Sequence, residues 1–421
     1  MKKSLSLKLF LGLCVSSCLI GCDKKQEEQK DDSKSPEETT TYDDGYVDGY
    51  LNGYNEGKVA GYSDGFEDGK VEGYEDGYEN GKEDGKEEQA DIDQDKRSIH
   101  SALQLEYLKN GDYSLLPISV TGEAENSKPL PLEFELQESP LYTTSDVTSS
   151  KLVISESRDF AHPVEINGDE NNHFKVYNTK INTKYYYYYS AVTGSGTFYS
   201  DIKEVFVKNE APRLLDINGV TNARDDGGWK IKGQNKYTKQ GLIYRMGSIN
   251  GISTQGKEAF KALGIKTEID LRNTEDHPSS TEIEGLINYS NFPLTHSNTA
   301  YFTNSTNKQN VKKVLDLMAD HTKYPLMFHC NIGTDRTGFI SFIVNALLGV
   351  EEEFLYRDYM MSNYAHIGGS RDIASIYTYI SQLKENYGGS SSLAEGAKQY
   401  MLSINVSEET INNIKTIMLG A

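Results

Sequence analysis

Glycine stands at every fourth position from Gly45 to Gly85. No stretch constrains the chain more. The residue after each of these glycines is Tyr, Phe or Lys (Tyr46, Tyr50, Tyr54, Lys58 and so on to Lys86). On a helix, steps of four drift by only about 40° per repeat, so glycines and aromatics would form adjacent stripes and leave a groove for a second helix. Each interior glycine opposes that helix by roughly 1 kcal/mol, so a lone helix in water is disfavoured. Two readings of residues 42–90 stay open: a helical segment for self-association, or a flexible acidic spacer. Neither builds a globular core. The charge agrees: residues 23–90 hold 22 acids and 8 bases, a net of −14, within a chain of 421 residues whose formal net charge is −20. So acidic a chain is a poor nucleic-acid ligand, since phosphate neutralisation needs Lys and Arg. It is equally poor as a polybasic membrane binder.

The first residues point to export. Met1-Lys2-Lys3 precedes a mostly apolar run from Leu9 to Ile20, the pattern of a signal peptide and too short for a permanent membrane span. Leu19-Ile20-Gly21-Cys22 resembles the bacterial lipobox. The resemblance implies a signal peptide over 1–21, lipidation at Cys22, and an extracytoplasmic protein anchored to the cell membrane by lipid. Residues 22–41 are polar and lack apolar periodicity, as expected of a disordered tether. Cys14 and Cys18 would leave with the signal, so Cys330 would be the one free thiol and no intrachain disulfide would form.

Over residues 111–209 the pattern turns to period two. Leu132, Phe134 and Leu136 alternate with Glu133 and Glu135; Phe174 and Val176 flank Lys175; Tyr185 to Tyr189 offers two aromatic faces; Val205 and Val207 flank Phe206. Turn signals at Asn167-Gly168 and Gly194-Ser195-Gly196 punctuate the runs. Short strands so spaced predict an all-β antiparallel sandwich. Thr183-Lys184-Tyr185 resembles the tyrosine-corner region of fibronectin type III modules.

From residue 210 to 421, strand-like and helix-like segments alternate, which predicts an α/β domain with a mainly parallel sheet flanked by helices. The spacing predicts helices over Lys257–Leu263, Val311–Ala319 and Arg336–Leu348, and strands over Ile265–Leu271 and Tyr324–Phe328. The whole is multidomain. Its sharpest motif is Phe328-His329-Cys330-Asn331-Ile332-Gly333-Thr334-Asp335-Arg336-Thr337-Gly338. A strand ending at His329, a tight loop and a helix beginning near Arg336 would aim backbone N–H groups at a tetrahedral anion. Gly333 lets the backbone bend around it. Arg336 offers bidentate donors to two phosphoryl oxygens. The same positive field favours a thiolate at Cys330. No His, Asp or Cys cluster has metal-ligand spacing, and the chemistry calls for no cofactor.

This loop resembles the Cys-x5-Arg signature of cysteine-dependent phosphatases. Asn222-Ala223-Arg224-Asp225-Asp226-Gly227-Gly228, Tyr244-Arg245-Met246-Gly247-Ser248 and Ile269-Asp270-Leu271-Arg272 precede it, and Asp358-Tyr359-Met360-Met361-Ser362-Asn363 follows. Together these segments resemble the bacterial tyrosine-phosphatase-like group whose loop reads HCxxGKDRTG. The resemblance implies Cys330 as nucleophile, Arg336 as phosphate clamp and Asp335 as proton donor. Asn331, Ile332, Gly333, Thr334 and Thr337 would contact substrate, with the Thr337 hydroxyl stabilising the departing thiolate. His329 would orient the loop, and Arg224, Asp225 and Arg272 would support it from behind. Asp276 and His277 are rival acids; Phe292 to Asn304 offers His296 but no aspartate. Thr334 replaces the group's loop lysine, which favours a phosphotyrosine-bearing protein as substrate over an inositol phosphate, a phosphoinositide or another small phosphoester. A surface interaction protein with a vestigial phosphatase is the third expectation.

Overall fold

The computed structural model describes residues 95–109, 120–273, 275, 281 and 283–420. They belong to the second of two units, Glu88–Ala421. The expected signal peptide, the expected lipidation site Cys22, the expected tether, the glycine repeat and the rival acids Asp276 and His277 lie outside the described residues. Among those described, no helix is long and apolar enough to cross a membrane.

The first lobe is built on strands. Its larger sheet joins β1 (Lys96–Arg97), β3 (Ser149–Ser155), β4 (Val164–Asn167), β6 (Thr183–Thr193), β7 (Gly196–Tyr199) and β8 (Lys203–Val207) in the order β1-β8-β6-β3-β4, with β7 on β6. A second sheet pairs β2 (Leu132–Glu135) with β5 (His173–Val176), antiparallel. The period-two alternation sets the facing sides. Tyr185, Tyr187 and Tyr189 are buried while Tyr186 and Tyr188 are half-buried. Phe134 meets Tyr187 edge-on at 4.8 Å between ring centroids, and Phe174 lies 5.5 Å from Tyr189, so aromatic contacts join the two sheets. The sheet begins earlier than residue 111. β1 pairs in parallel with β8, and helix α1 (Ala102–Leu108) follows it. Two residues are too few to show a period, which is why β1 leaves no mark on the sequence pattern.

The second lobe carries β9 (Arg224–Asp225), β10 (Ile243–Met246), α2 (Thr254–Ala262), β11 (Thr267–Asp270), β12 (Asn288–Asn291), α3 (Ala300–Thr303), α4 (Ser305–Met318), β13 (Leu326–His329), α5 (Asp335–Leu348), α6 (Glu352–Met361), α7 (Ala374–Asn386), α8 (Leu393–Ser403) and α9 (Glu408–Leu419). The sheet order is β12-β11-β13-β10-β9, parallel throughout except for the β9–β10 pair. Its residues alternate between two cores. Ile243, Ile269, Leu326 and Phe328 join α5 and the C-terminal helices. Tyr244, Met246 and Met327 join Phe260 of α2. Helix α5 is buried along its whole length except at Arg336. A helix apolar all round belongs inside a domain, and this one points its N-terminus at the end of β13.

The lobes are joined by buried polar contacts. Arg213 donates to Asp225 Oδ2 at 2.7 Å and to the Thr179 carbonyl at 3.1 Å. Gln240 exchanges hydrogen bonds with the backbone of Ile181, at 3.1 and 2.8 Å. Asp225 also accepts from the N–H groups of Gly227 and Gly241. It therefore serves this junction, not the back of the Cys330 loop as its place beside Arg224 suggests. Successive strand residues face opposite sides, and Asp225 takes the side away from the loop.

Candidate active site

Residues 330–334 run from the end of β13 to the start of α5. Their carbonyls are tied to the scaffold. Ser248 N–H donates to Asn331 O at 2.9 Å, Asn222 Nδ2 to Ile332 O at 3.0 Å, Arg245 Nη2 to Gly333 O at 2.7 Å and Gly338 N–H to Thr334 O at 2.7 Å. His329 Nδ1 lies 3.3 Å from Cys330 O. In a planar trans peptide the C=O and the following N–H point in opposite directions. Holding the carbonyls of 331–333 on the scaffold turns the N–H groups of Ile332, Gly333 and Thr334 away from it. Among the described residues, no backbone N–H from Asn331 to Thr337 donates to a protein acceptor. Such a row of donors at a helix N-terminus suits an anion. Gly333 sits at φ +70°, and a Cβ there would lie 2.5 Å from the Met246 carbonyl carbon. Glycine is thus required both by conformation and by space.

Cys330 is a buried free thiol. The Arg336 guanidinium has no hydrogen-bond or ion-pair partner among the described residues. A guanidinium left unmatched beside unmatched amides is a site for a dianionic group. Asp335, by contrast, is already held. Tyr359 donates its hydroxyl to Oδ1 at 3.0 Å, Arg371 donates from Nε at 3.3 Å and from Nη2 to Oδ2 at 3.3 Å, and His296 Nε2 stands 3.9 Å from Oδ2. Burial and the Asp335 charge push the Tyr359 phenol well above its ordinary value, so it remains a donor. Burial, with Asp335 and Cys330 nearby, does the same to Tyr301.

Two expected contacts differ. The Thr334 side chain turns inward: its hydroxyl accepts from Asn222 Nδ2 at 3.3 Å, leaving only its N–H for a ligand. The Thr337 hydroxyl is buried without a hydrogen-bond partner, so it makes no bond to the Cys330 sulfur.

Behind the loop, Arg224 and Arg245 share one acid. Arg224 Nε donates to Asp358 Oδ1 at 2.7 Å, and Arg245 Nη1 donates to Asp358 Oδ2. Burial opposes charge on Asp358, but the two guanidiniums hold it below the ordinary carboxylate range. Beneath the other face of the sheet, His329 Nε2 lies 3.0 Å from Glu268 Oε1 and 3.9 Å from Asp270 Oδ2. These three could surround a cation by spacing alone. Arg272, however, donates to both Asp270 oxygens and to Ser248 Oγ. Burial disfavours the Asp270 charge, yet those hydrogen bonds keep it low. Of this group Arg272 pairs with Asp270 alone, and its Nη1 also reaches Asn250 Oδ1 at 3.1 Å; Glu268 Oε2 is buried without a hydrogen-bond partner.

Sequence reasoning assigns no role to Arg245, Asn222, Asp358, Tyr359, Arg371 or Glu268. A signal exists for Arg245, a charge inside the apolar strand Ile243–Met246. Arg371 offers none, being a loop residue far along the chain.

A strand, an amide-lined loop with an unpaired arginine, and a buried helix behind it make a site suited to a tetrahedral dianion. Residues 215–419 match the tyrosine phosphatase family. A "Putative tyrosine-protein phosphatase" of Cupriavidus necator is 27% identical over 185 residues, covering 37% of this chain and 67% of the relative. A "Tyrosine-protein phosphatase" of Nostoc commune is 23% identical over 223 residues, covering 42% and 73%. The crystal structure of the core catalytic domain of the PP-IP phosphatase SIW14 from S. cerevisiae aligns with a TM-score of 0.26 at 15% identity, over 37% of this chain and 91% of that one. The family match and the bacterial relatives support the phosphatase family for the C-terminal half of the chain.

Proposed function

We propose that the chain is an exported, lipid-anchored protein-tyrosine phosphatase that works through a phosphocysteine. The observation that carries this reading is the loop whose carbonyls are tied back while the N–H groups of residues 331–337 and the Arg336 guanidinium have no protein partner among the described residues. Arg336 and the amides bind the phosphoryl oxygens. The Cys330 thiolate attacks phosphorus; an S–P bond forms, the P–O ester bond breaks, and Asp335 gives its proton to the departing phenolic oxygen. Water then attacks phosphorus, Asp335 takes the proton, the S–P bond breaks and inorganic phosphate leaves. Catalysis is placement and field, with charge on the equatorial oxygens met by donors already in position.

Phosphotyrosine is favoured because Thr334 stands where the similar bacterial group has a loop lysine, and its buried hydroxyl supplies no cation for a second phosphate. The names of the bacterial relatives lean the same way. The first lobe is read as a fibronectin type III-like spacer. In support, Tyr185 Oη accepts from the Lys180 N–H at 2.7 Å, a tyrosine-corner contact. Cys22 would carry the lipid, and the acidic segment between would hold the enzyme off the membrane.

A side-by-side assay tests the substrate. The full chain should hydrolyse a phosphotyrosine peptide at least tenfold faster, in kcat/KM, than inositol hexakisphosphate, a gap of about 1.4 kcal/mol. The reverse order would overturn the phosphotyrosine reading. Metabolic labelling with a palmitate analogue, lost in Cys22→Ala, tests the anchor; equal labelling of the variant would refute it.

A further inference from the structure

Asp335 is held by Arg371, and the segment leading to Arg371 is held by residues that lie outside the family-matched part of the chain. Asn363 clamps the Arg371 backbone, accepting from its N–H at 2.7 Å and donating to its carbonyl at 3.0 Å. Just before Arg371 come Gly368 and Gly369, at φ +67° and +111°. Two glycines in such conformations have the most freedom to lose and need outside contacts to stay put. Those contacts come from residues 122–126. The Gly122 carbonyl accepts from Ile367 N–H at 2.9 Å and from Gly368 N–H at 3.1 Å. Glu125 Oε2 accepts from the Thr221 hydroxyl and, at 3.4 Å, from His366 N–H. Asn126 N–H donates to the Tyr364 carbonyl. The fit is close: Gly122 has φ +69°, and a Cβ on it would stand 2.1 Å from the Gly369 carbonyl oxygen.

We propose that residues 122–126 form a brace that sets Arg371 against Asp335, making Arg371 and Gly122 positioning residues for proton transfer. The proposal deepens the phosphatase reading and rests on Asp335 as the acid. The brace fixes the segment 364–369, the segment fixes Arg371, and Arg371 fixes the carboxylate together with Tyr359. A proton donor misplaced by an ångström costs on the order of 100-fold. The cost falls only where the leaving group needs a proton.

The test compares phenyl phosphate, a poor leaving group, with p-nitrophenyl phosphate, a good one, on the full chain. Arg371→Met and Gly122→Val should each lower kcat on phenyl phosphate by about tenfold or more. On p-nitrophenyl phosphate each should lower it by less than about threefold, with KM nearly constant on both. Arg371→Lys should restore part of the loss. In an Asp335→Asn background neither change should matter further, because the group they position is gone. If Gly122→Val does not fold, Glu125→Ala, which removes the acceptor for Thr221 and His366, replaces it with the same expectation. Equal losses on both esters, losses that persist in Asp335→Asn, or wild-type kinetics would overturn the brace. Asp335→Asn measured alone separates the two ideas. If it slows both esters equally, the acid assignment fails and takes the brace with it. If it is selective and Arg371→Met is not, only the brace fails.

Discussion

Arg245 Nη2 donates to the Gly333 carbonyl at 2.7 Å, while Nη1 of the same side chain is paired with Asp358. One fully buried guanidinium thus joins the candidate anion loop to the acid on α6 that also holds Arg224. The loop's shape is a property of charges beneath it as much as of its own sequence.

Removing that acid should therefore disturb both stability and the site. Asp358→Ala leaves two buried guanidiniums without their carboxylate, and breaking a buried pair on one side typically costs about 3–5 kcal/mol. The expected result is a fall of about 6–20 °C in Tm by thermal unfolding, with loss of turnover under conditions where the variant is still folded. A Tm within a degree or two of wild type would show that the hub does not carry the loop.

Gly333→Ala tests the loop directly. A methyl at φ +70° would press on the Met246 carbonyl carbon at 2.5 Å, and the left-handed backbone costs about 1–2 kcal/mol for an L residue. Activity should fall at least about tenfold through displaced N–H donors, with a modest drop in Tm. Unchanged kcat/KM on p-nitrophenyl phosphate would contradict the placement of those donors.

Asp226 should make stability depend on pH. Burial, then the neighbouring Asp358 carboxylate, push it up from an ordinary 3.8 to about 7. Between those values the folded protein keeps a proton that the unfolded chain has released. Stability therefore falls as pH rises through this window and levels off above it. Asp226→Asn removes the difference. Comparing Tm at pH 5 and pH 8, the wild type should lose more than the variant; an equal change in both would refute the assignment.

The amino-acid sequence declares a feature of this fold where local pattern and tertiary need coincide. The apolar run of α5, the alternating tyrosines of β6 and the His329–Gly338 motif each reveal their surroundings within a few residues. What stays hidden depends on contacts between distant positions. β1 is two residues long and exists only by pairing with β8. Asp225 and Arg224 are neighbours in sequence but face opposite sides of the sheet, so one serves the lobe junction and the other the loop. Arg371 meets Asp335 from 36 residues away, and Gly122 acts from beyond the intervening lobe. Neither carries a local signature.

In the proposed cycle sulfur becomes bonded to phosphorus. Rapid acid quenching of the full chain during turnover of p-nitrophenyl phosphate, followed by mass analysis of its peptides, reads this bond directly. The expected result is one phosphoryl group on the Cys330 peptide of the wild type and none on Cys330→Ser, which should also fail to turn over. Turnover by Cys330→Ser at the wild-type rate, or a phosphoryl group found on another residue, would contradict it.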